Sequence, residues 1–504
     1  MDEVVRMMVG TAAALPNVFT LSNMTYCLAG LVFGIAWGAV PALTSTMAMA
    51  LLMGFSAGMS LEGAIIFLLG VYSGSVFGGS ISAVCINIPG KPNSVCTAIE
   101  GYPLFRRGEG GTALGTAIIA SSVGNVFGTV VLIICTPFVL ALALGIGAWE
   151  VFLLGLWGVL FSGSITDAPP LKGWLAGLIG LSIAFVGADS ISGEIRYTFG
   201  IPALYGGVSF VSVLIGLFGF AEIARGLLFE ADYKSASLNR IRISWRQLRD
   251  NLATLFNGSA IGTFVGALPA AGADVAAFLS YTVSRRLASP KQRAEYGKGS
   301  YRGIIAAETA DNASVGGDLL PTLVLAIPGS TVAAAFMGAL NLQGVVVGPM
   351  IEMSHPGLME YVFASLLIVS LLLGIVGYLV AKPAIALLSV PRNVLLPSIM
   401  PICVMGAFAA QNNVVDIYIM LVSGVAGISL VMAGIPVAPI CIGLILGPLV
   451  DLNLRRALLI YQDQDLSVLL TRPIGLVLIA VIAITVVGSM KAGKDPGATS
   501  QANP

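Results

Sequence analysis

The sequence predicts an all-α polytopic membrane protein of about ten to fourteen transmembrane segments, with internal repeats and re-entrant broken-helix hairpins. Three observations carry this. Of the 504 residues, 57% are hydrophobic and only 10% charged, against about 25% charged in soluble domains. Runs without Asp, Glu, Lys or Arg are long: Met7–Leu61, Gly110–Trp149, Leu319–Ile351 and Ile417–Val450. Several apolar runs are interrupted by Pro, Gly and a few polar residues, as in "GALPAAGADVAAF" from Gly266 to Phe278. A helix needs about 20 apolar residues to cross the hydrocarbon. A membrane barrel would instead alternate in segments of about ten residues.

Taken along the chain, the charge-poor runs predict spans near 28–53, 61–88, 112–146 (as one or two pieces), 148–163, 173–188, 203–229, 251–284, 303–347, 358–381, 396–433, 436–450 and 474–490. They form one integral membrane unit over 1–490, and the polar stretch 491–504 reads as a disordered tail. The six cysteines form no Cys-x-x-Cys pair and read as small buried hydrophobes. No short apolar core precedes a small-residue cleavage site near the N-terminus, so no cleaved signal peptide is expected. A net charge of zero gives no reason to expect nucleic acid as a partner.

Basic residues gather in two loops, Arg225–Arg249 and Arg285–Arg302, and in the pair Arg106–Arg107. The excess of Lys and Arg on cytoplasmic loops places all three on that side. Between Arg249 and Arg285 the chain must therefore leave and return. The returning limb, Gly272–Ser284, has 13 residues, about 20 Å at 1.5 Å per residue, too short to cross. The segment 251–284 is thus read as a re-entrant hairpin with its tip at Pro269, Ala270, Ala271 and Gly272.

Two regions can be superposed. "INIPGKPNSVCTAIEGYPLFRRGE" (Ile86–Glu109) lies over "GALPAAGADVAAFLSYTVSRRLAS" (Gly266–Ser289). "SSVGNVFGTVVLIICTP" (Ser121–Pro137) lies over "ASVGGDLLPTLVLAIPG" (Ala313–Gly329). Repeat one then covers about 60–145 and repeat two about 251–347. Paired Gly/Pro-interrupted segments in two halves point to a transporter's midplane site. Whether the halves are parallel or inverted stays open.

A break in a membrane helix bares N–H and C=O groups that must face protein, water or ligand. The bared N–H groups of a new helix start suit a carboxylate; the bared carbonyls suit a cation. Three places have this form. At Asn87, Pro89, Gly90, Lys91, Asn93 and Ser94, Asn93 or Ser94 is placed to cap the next helix. At Pro269–Asp274, Gly272 frees the backbone and Asp274 opens the returning limb, either as a cation ligand or proton carrier or as a cap of its own helix. At Pro328, Gly329, Ser330 and Thr331, Ser330 or Thr331 would cap. Glu308, Asp311 and Asn312 share one helix face at i, i+3 and i+4 and form, with Asp274, the candidate cation ligands. Lys91 interrupts an uncharged run and requires an anionic partner, supplied by a substrate carboxylate, Asp274 or Glu308. Glycine triplets such as Gly70, Gly74 and Gly78, and pairs such as Gly111 and Gly115, are read as helix-packing faces.

No G-x-x-x-x-G-K-[ST] stretch is present, and His355 is the sole histidine, which excludes a phosphate-cradling loop and H-E-x-x-H chemistry. No enzymatic activity and no resident cofactor are expected.

The ordered motifs "GGSISAVCINIPGKPNSVCTAIEGYPLFRRGEGGTALG" (Gly78–Gly115), "GTFVGALPAAGADVAAFLSY" (Gly262–Tyr281) and "YGKGSYRGIIAAETADNASVGGDLLPTLVLAIPGS" (Tyr296–Ser330) resemble the large permease subunit of the tripartite tricarboxylate transporter family, over nearly the whole chain. The resemblance implies a multi-pass permease in the bacterial inner membrane beside a small four-helix membrane subunit. A periplasmic binding protein would deliver a di- or tricarboxylate, taken up with sodium or protons by an elevator-like movement. The family's hairpins resemble N-I-P-G-T-P and L-P-G-A-G-A-D. Here Lys91 stands in the threonine position and Ala270 in the glycine position, and the E-A-A-N-N-A stretch becomes Glu308–Ala313 with an added acid at Asp311. Two readings from other classes remain: the ion-translocating membrane subunit of a decarboxylase-type pump, and a passive anion channel.

Overall fold

The computed structural model describes every residue except 1, 42, 89, 90, 167, 190, 229–237, 239, 270, 389, 391, 463–470 and 493–504. The predicted break residues Pro89, Gly90 and Ala270, and nearly all of the predicted tail, lie outside the described residues. The rest is almost entirely helical, as the sequence requires: α1 (Asp2–Val18), α2 (Leu21–Ala39), α3 (Ser45–Ser56), α4 (Leu61–Ile86), a 3₁₀ turn (Pro92–Ser94), α5 (Val95–Arg106), α6 (Gly110–Leu144), α7 (Ala148–Ser164), α8 (Pro170–Ala184), α9 (Phe210–Leu214) running through a π turn (Ile215–Phe220) into α10 (Ala221–Leu228), α11 (Trp245–Arg249), α12 (Leu252–Gly266), α13 (Gly272–Leu287), α14 (Pro290–Arg293), α15 (Tyr301–Leu325), α16 (Thr331–Leu342), α17 (Ile351–Ser354), α18 (Leu358–Leu387), α19 (Arg392–Gln411), α20 (Val414–Met432), α21 (Ala438–Ile460) and α22 (Pro473–Ala492). Two-residue strands β1 (Gly187–Ala188) and β2 (Ile195–Arg196) pair antiparallel after α8. Among the described residues, eight helices are long and apolar enough to cross a membrane: α2, α4, α6 and α18–α22. The protein is a multi-pass membrane protein.

Two expected runs part, and a third proves to be a single piece. The run 28–53 is two helices, α2 and α3, parted at Val40–Thr44 where Pro41 falls and Thr44 accepts the Met47 N–H as an N-cap. The run 396–433 parts into α19 and α20 at Asn412, whose φ is 53°, and Asn413, which caps α20 through the Val415 N–H. The stretch 112–146 is one helix, α6, which carries Pro137 inside it. Helix α1, with Asp2, Glu3 and Arg6 in its first turns, was not anticipated from hydropathy.

Helix α4 is buried along all but its ends, because neighbours cover it on every side. It packs main chain to main chain against α2. A Cβ on Gly30 would lie 2.2 Å from Phe67 O, on Gly34 2.6 Å from Val71 O, and on Gly74 2.7 Å from Leu31 O. Backbone thus meets backbone, the geometry small residues allow between membrane helices. Gly111 and Gly115 of α6 serve differently from the expected helix packing. They seat the extended segment at Arg240–Arg242, with the Arg242 N–H donating to Gly111 O at 3.1 Å.

The ends of α5 and α13, both carrying Arg-Arg, meet the loop before α15 on one side. Glu100 of α5, fully buried, accepts hydrogen bonds from Tyr281 Oη (2.6 Å) and from the N–H groups of Gly297 (2.7 Å), Gly299 (3.1 Å) and Ser300 (2.7 Å). Arg107 donates to Gly299 O. Removing this buried acceptor strands the buried Ser300 N–H, at about 1–3 kcal/mol, and breaks three part-buried hydrogen bonds, each worth about 0.5–1.5 kcal/mol. Glu100→Ala is therefore expected to destabilise the fold by about 3 kcal/mol, read as a lower Tm of the detergent-purified protein; an unchanged Tm would refute the role.

On the loop after α8, Asp189 accepts the N–H groups of Ile191 (2.7 Å) and Ser192 (2.9 Å) and pairs with Arg196 (3.3 Å) and Arg455. The Ser192 and Ile191 N–H groups first, and the Arg196 and Arg455 charges next, hold its carboxyl down at about 2. A depressed acid stabilises the fold above its unfolded pKa, about 4, and that stability is lost as pH falls through about 2. Asp189→Asn is thus expected to lower Tm at pH 7 and to lower it progressively less below pH 4. A constant difference down to pH 3 would count against it.

Candidate functional site

All three predicted breaks exist where described residues report on them. Helix α4 stops because Asn87 turns left-handed (φ 56°, ψ 28°), and α15 stops at Ala326 in the same conformation (φ 56°, ψ 31°). Each is followed by Ile-Pro-Gly, and a proline lacks the N–H that would continue a helix. A left-handed alanine costs about 1 kcal/mol, so Ala326 is held there by its surroundings. Between α12 and α13 the chain reverses at Pro269–Ala271, and Gly272 takes φ 55°, a conformation open to glycine at little cost.

The breaks converge on one cavity of about 900 Å³. Lys91, Pro92 and Asn93 line it from the first, Ala271–Val275 from the second, and Ser330–Val332 from the third. Thr44–Thr46 at the start of α3, Ser162 and Thr166 around the end of α7, Tyr72 and Val76 of α4, Asp318 of α15 and the turn before α21 complete the wall. Helices α3, α13 and α16 therefore all begin at the cavity, and the 3₁₀ turn leading into α5 does the same. The positive ends of their dipoles face one space.

The side chains form a connected polar set. The Asn93 N–H donates to Asp274 Oδ1 (3.1 Å), and Asn93 Nδ2 donates to Asp311 Oδ1 (2.6 Å). Neither Asn93 nor Ser94 caps the next helix through its side chain: the Asn93 amide is spent on α15. Nor is Asp274 only a cap of α13, since it reaches across to the first break. Lys91 Nζ donates to Ser45 Oγ (2.8 Å), Val76 O (3.1 Å) and Ser75 O. Tyr72 Oη donates to Asp318 Oδ2 and lies 3.2 Å from Ser330 Oγ, which caps α16 by accepting the Ala333 N–H at 3.1 Å. Thr46 and Thr331 hydroxyls are 2.7 Å apart. Gly272 abuts Ser330: a Cβ there would sit 3.1 Å from Ser330 Cβ.

The cavity takes in Lys91, Asn93, Ala271, Gly272, Asp274, Ser330 and Thr331 of the predicted set and leaves others out. Pro269, Pro328, Gly329 and Ser94 are buried behind its wall, and Asn87 is exposed at the end of α4. Glu308 lies deeper. It accepts the hydroxyls of Ser80 (2.6 Å), Ser121 (2.9 Å) and Thr97, joining α4, α5, α6 and α15. Asp311 and Asn312 are buried beside it, with Asp311 Oδ2 and Asn312 Oδ1 lacking a hydrogen-bond partner, as does Asp318 Oδ1. Among the described residues no group of three His, Cys, Asp or Glu side chains is arranged to hold a metal ion. Sequence reasoning missed Tyr72, Asp318 and Ser45. Asp318 follows Asp311 by seven residues, two turns on, and that spacing was the available signal. A smaller cavity of about 450 Å³ near Arg196 and Asp451 contains none of the predicted residues.

Residues 24–442 match the model of the Tripartite tricarboxylate transporter TctA family. Among curated proteins, the chain is similar to an uncharacterized 52.8 kDa protein in the TAR-I ttuC' 3'region of Agrobacterium vitis, 34% identical over 502 residues and covering 98% of both chains. It is also similar to an uncharacterized protein in the TAR-II ttuC' 3'region of the same organism, 36% identical over 239 residues, which are 46% of this chain and 97% of that one. No solved structure matches the chain.

Proposed function

The chain belongs to the tripartite tricarboxylate transporter TctA family, and from that premise we propose that it is the subunit that carries a di- or tricarboxylate inward across the bacterial inner membrane, coupled to sodium or protons. Its partners are a small four-helix membrane subunit and a periplasmic binding protein. One observation carries this reading: the starts of α3, α13 and α16 and the 3₁₀ turn before α5 open on a single cavity. Helix N-termini directed at one space suit a carboxylate. The coupling cation belongs to the deeper layer, where Asp311 Oδ2, Asn312 Oδ1 and Asp318 Oδ1 have no partner and Asp274 links the first break to the second. A buried carboxylate in a membrane protein is costly unless it is used. The segments 60–145 and 251–347 are the two repeats that bring the breaks together, and the cavity opens to either side as the hairpins move in an elevator-like manner.

The test is uptake and counterflow of radiolabelled citrate in liposomes holding the three components. Uptake driven by an inward sodium or proton gradient, with exchange against internal citrate, supports importer function. Ion leakage without carboxylate exchange would assign the chain to a decarboxylase-type pump, and conductance independent of substrate would make it a passive channel.

A further inference from the structure

Lys91 lines the cavity, yet its ammonium is turned into the protein. An ammonium has three protons, and Ser45 Oγ, Ser75 O and Val76 O provide three acceptors. All three oxygens are neutral. Two are successive backbone carbonyls in the middle of α4, and the third is a hydroxyl on the first turn of α3. Carbonyl and hydroxyl oxygens around a single positive charge are the ligands that hard alkali cations take. The stem has a prepared path. Gly79 leaves it room, since a Cβ there would lie 3.1 Å from Lys91 Cε and 2.5 Å from Ser94 Oγ. The charges that act on the ammonium are those of Asp311, Asp274 and Glu308, the acids assigned above to cation coupling. A carboxylate substrate would have to strip one of the three protons from its acceptor before Lys91 could meet it.

We propose that Lys91 is a built-in cation: its ammonium occupies an alkali-ion position lined by Ser45 Oγ, Ser75 O and Val76 O, so that the wild-type protein carries one mobile cation fewer than a variant with a neutral residue there. The inference rests on the transport reading and deepens it. A fixed charge balances part of the acidic cluster in every state of the cycle, and the mobile ions balance the rest.

The experiment counts radioactive sodium bound per chain at saturation in the detergent-purified complex, for wild type, Lys91→Thr and Lys91→Met, with choline as the inert cation. In parallel, the sodium dependence of radiolabelled citrate uptake is measured in liposomes. Vacating the position is expected to raise bound sodium by one per chain in both variants and to steepen the sodium dependence of uptake. If Lys91→Thr fails to fold, Lys91→Met, which keeps most of the stem, gives the count alone. An unchanged sodium count overturns the proposal. So does a tenfold or greater rise in the citrate KM with unaltered sodium dependence, which would make Lys91 a substrate contact. Absence of citrate uptake in wild type together with a raised count in the variants would spare the cation position and sink the transport reading instead.

Discussion

Asp274→Asn is expected to reduce cation-driven citrate uptake at least 100-fold while leaving the amount of protein in the membrane unchanged. The substitution keeps the shape of the side chain and removes its charge. Asp274 lies in the first turn of α13 and takes the Asn93 N–H, a donor left bare by the break after α4. Asn93 in turn donates to Asp311 on α15. One carboxylate therefore links two breaks and, through Asn93, the acidic layer. An amide oxygen can still accept the N–H, so the fold survives, but the charge that Asp274 presents to the cavity and that attracts a cation is gone; a 100-fold fall corresponds to about 2.7 kcal/mol, since each 1.36 kcal/mol is tenfold in rate. Initial rates at graded sodium concentrations and at graded pH, normalised to protein in the membrane, check this. Undiminished stimulation by either cation removes Asp274 from coupling.

Gly272→Val is expected to lower uptake at least 30-fold through geometry alone. At φ 55° a β-branched residue is strained, and its Cβ would stand 3.1 Å from Ser330 Cβ. Ser330 cannot give way freely, because it caps α16 and lies 3.2 Å from Tyr72 Oη. The displacement therefore passes from the tip of one hairpin into the break of another. Gly272→Ala, with a smaller strain and the same first contact, is expected to fall between. Equal rates for glycine, alanine and valine at matched expression would mean that the hairpin tip plays no part in the site.

Most of the architecture could be read from chemistry that recurs locally. Charge-free runs marked the helices, and prolines closely followed by glycine marked the breaks, because a proline cannot donate and the bilayer offers no water to replace the lost bond. The returning limb expected over 272–284 lies within α13, which begins at Gly272. What stayed hidden depends on long-range packing. Tyr72 sits in a helix buried on all faces, so no apolar period singled it out. Ser45 came into the site because the chain parts at Val40–Thr44, and Pro41 was too weak a mark inside 55 uncharged residues. Asp318 stands two turns beyond Asp311 on α15, but its partner Tyr72 lies 246 positions away. Pairings of that kind are set by the fold and leave no trace in spacing.

The meshing of α2 with α4 has a mechanical consequence. Where Gly30, Gly34 and Gly74 let one main chain rest on another, no cushion of side chains remains to roll or shear, and a slide of one helical step would drive Cβ atoms into peptide oxygens. The two helices form a single stave. In the elevator-like movement proposed above, Tyr72, Ser75 and Val76 would travel together with α2, and sliding would fall at another seam.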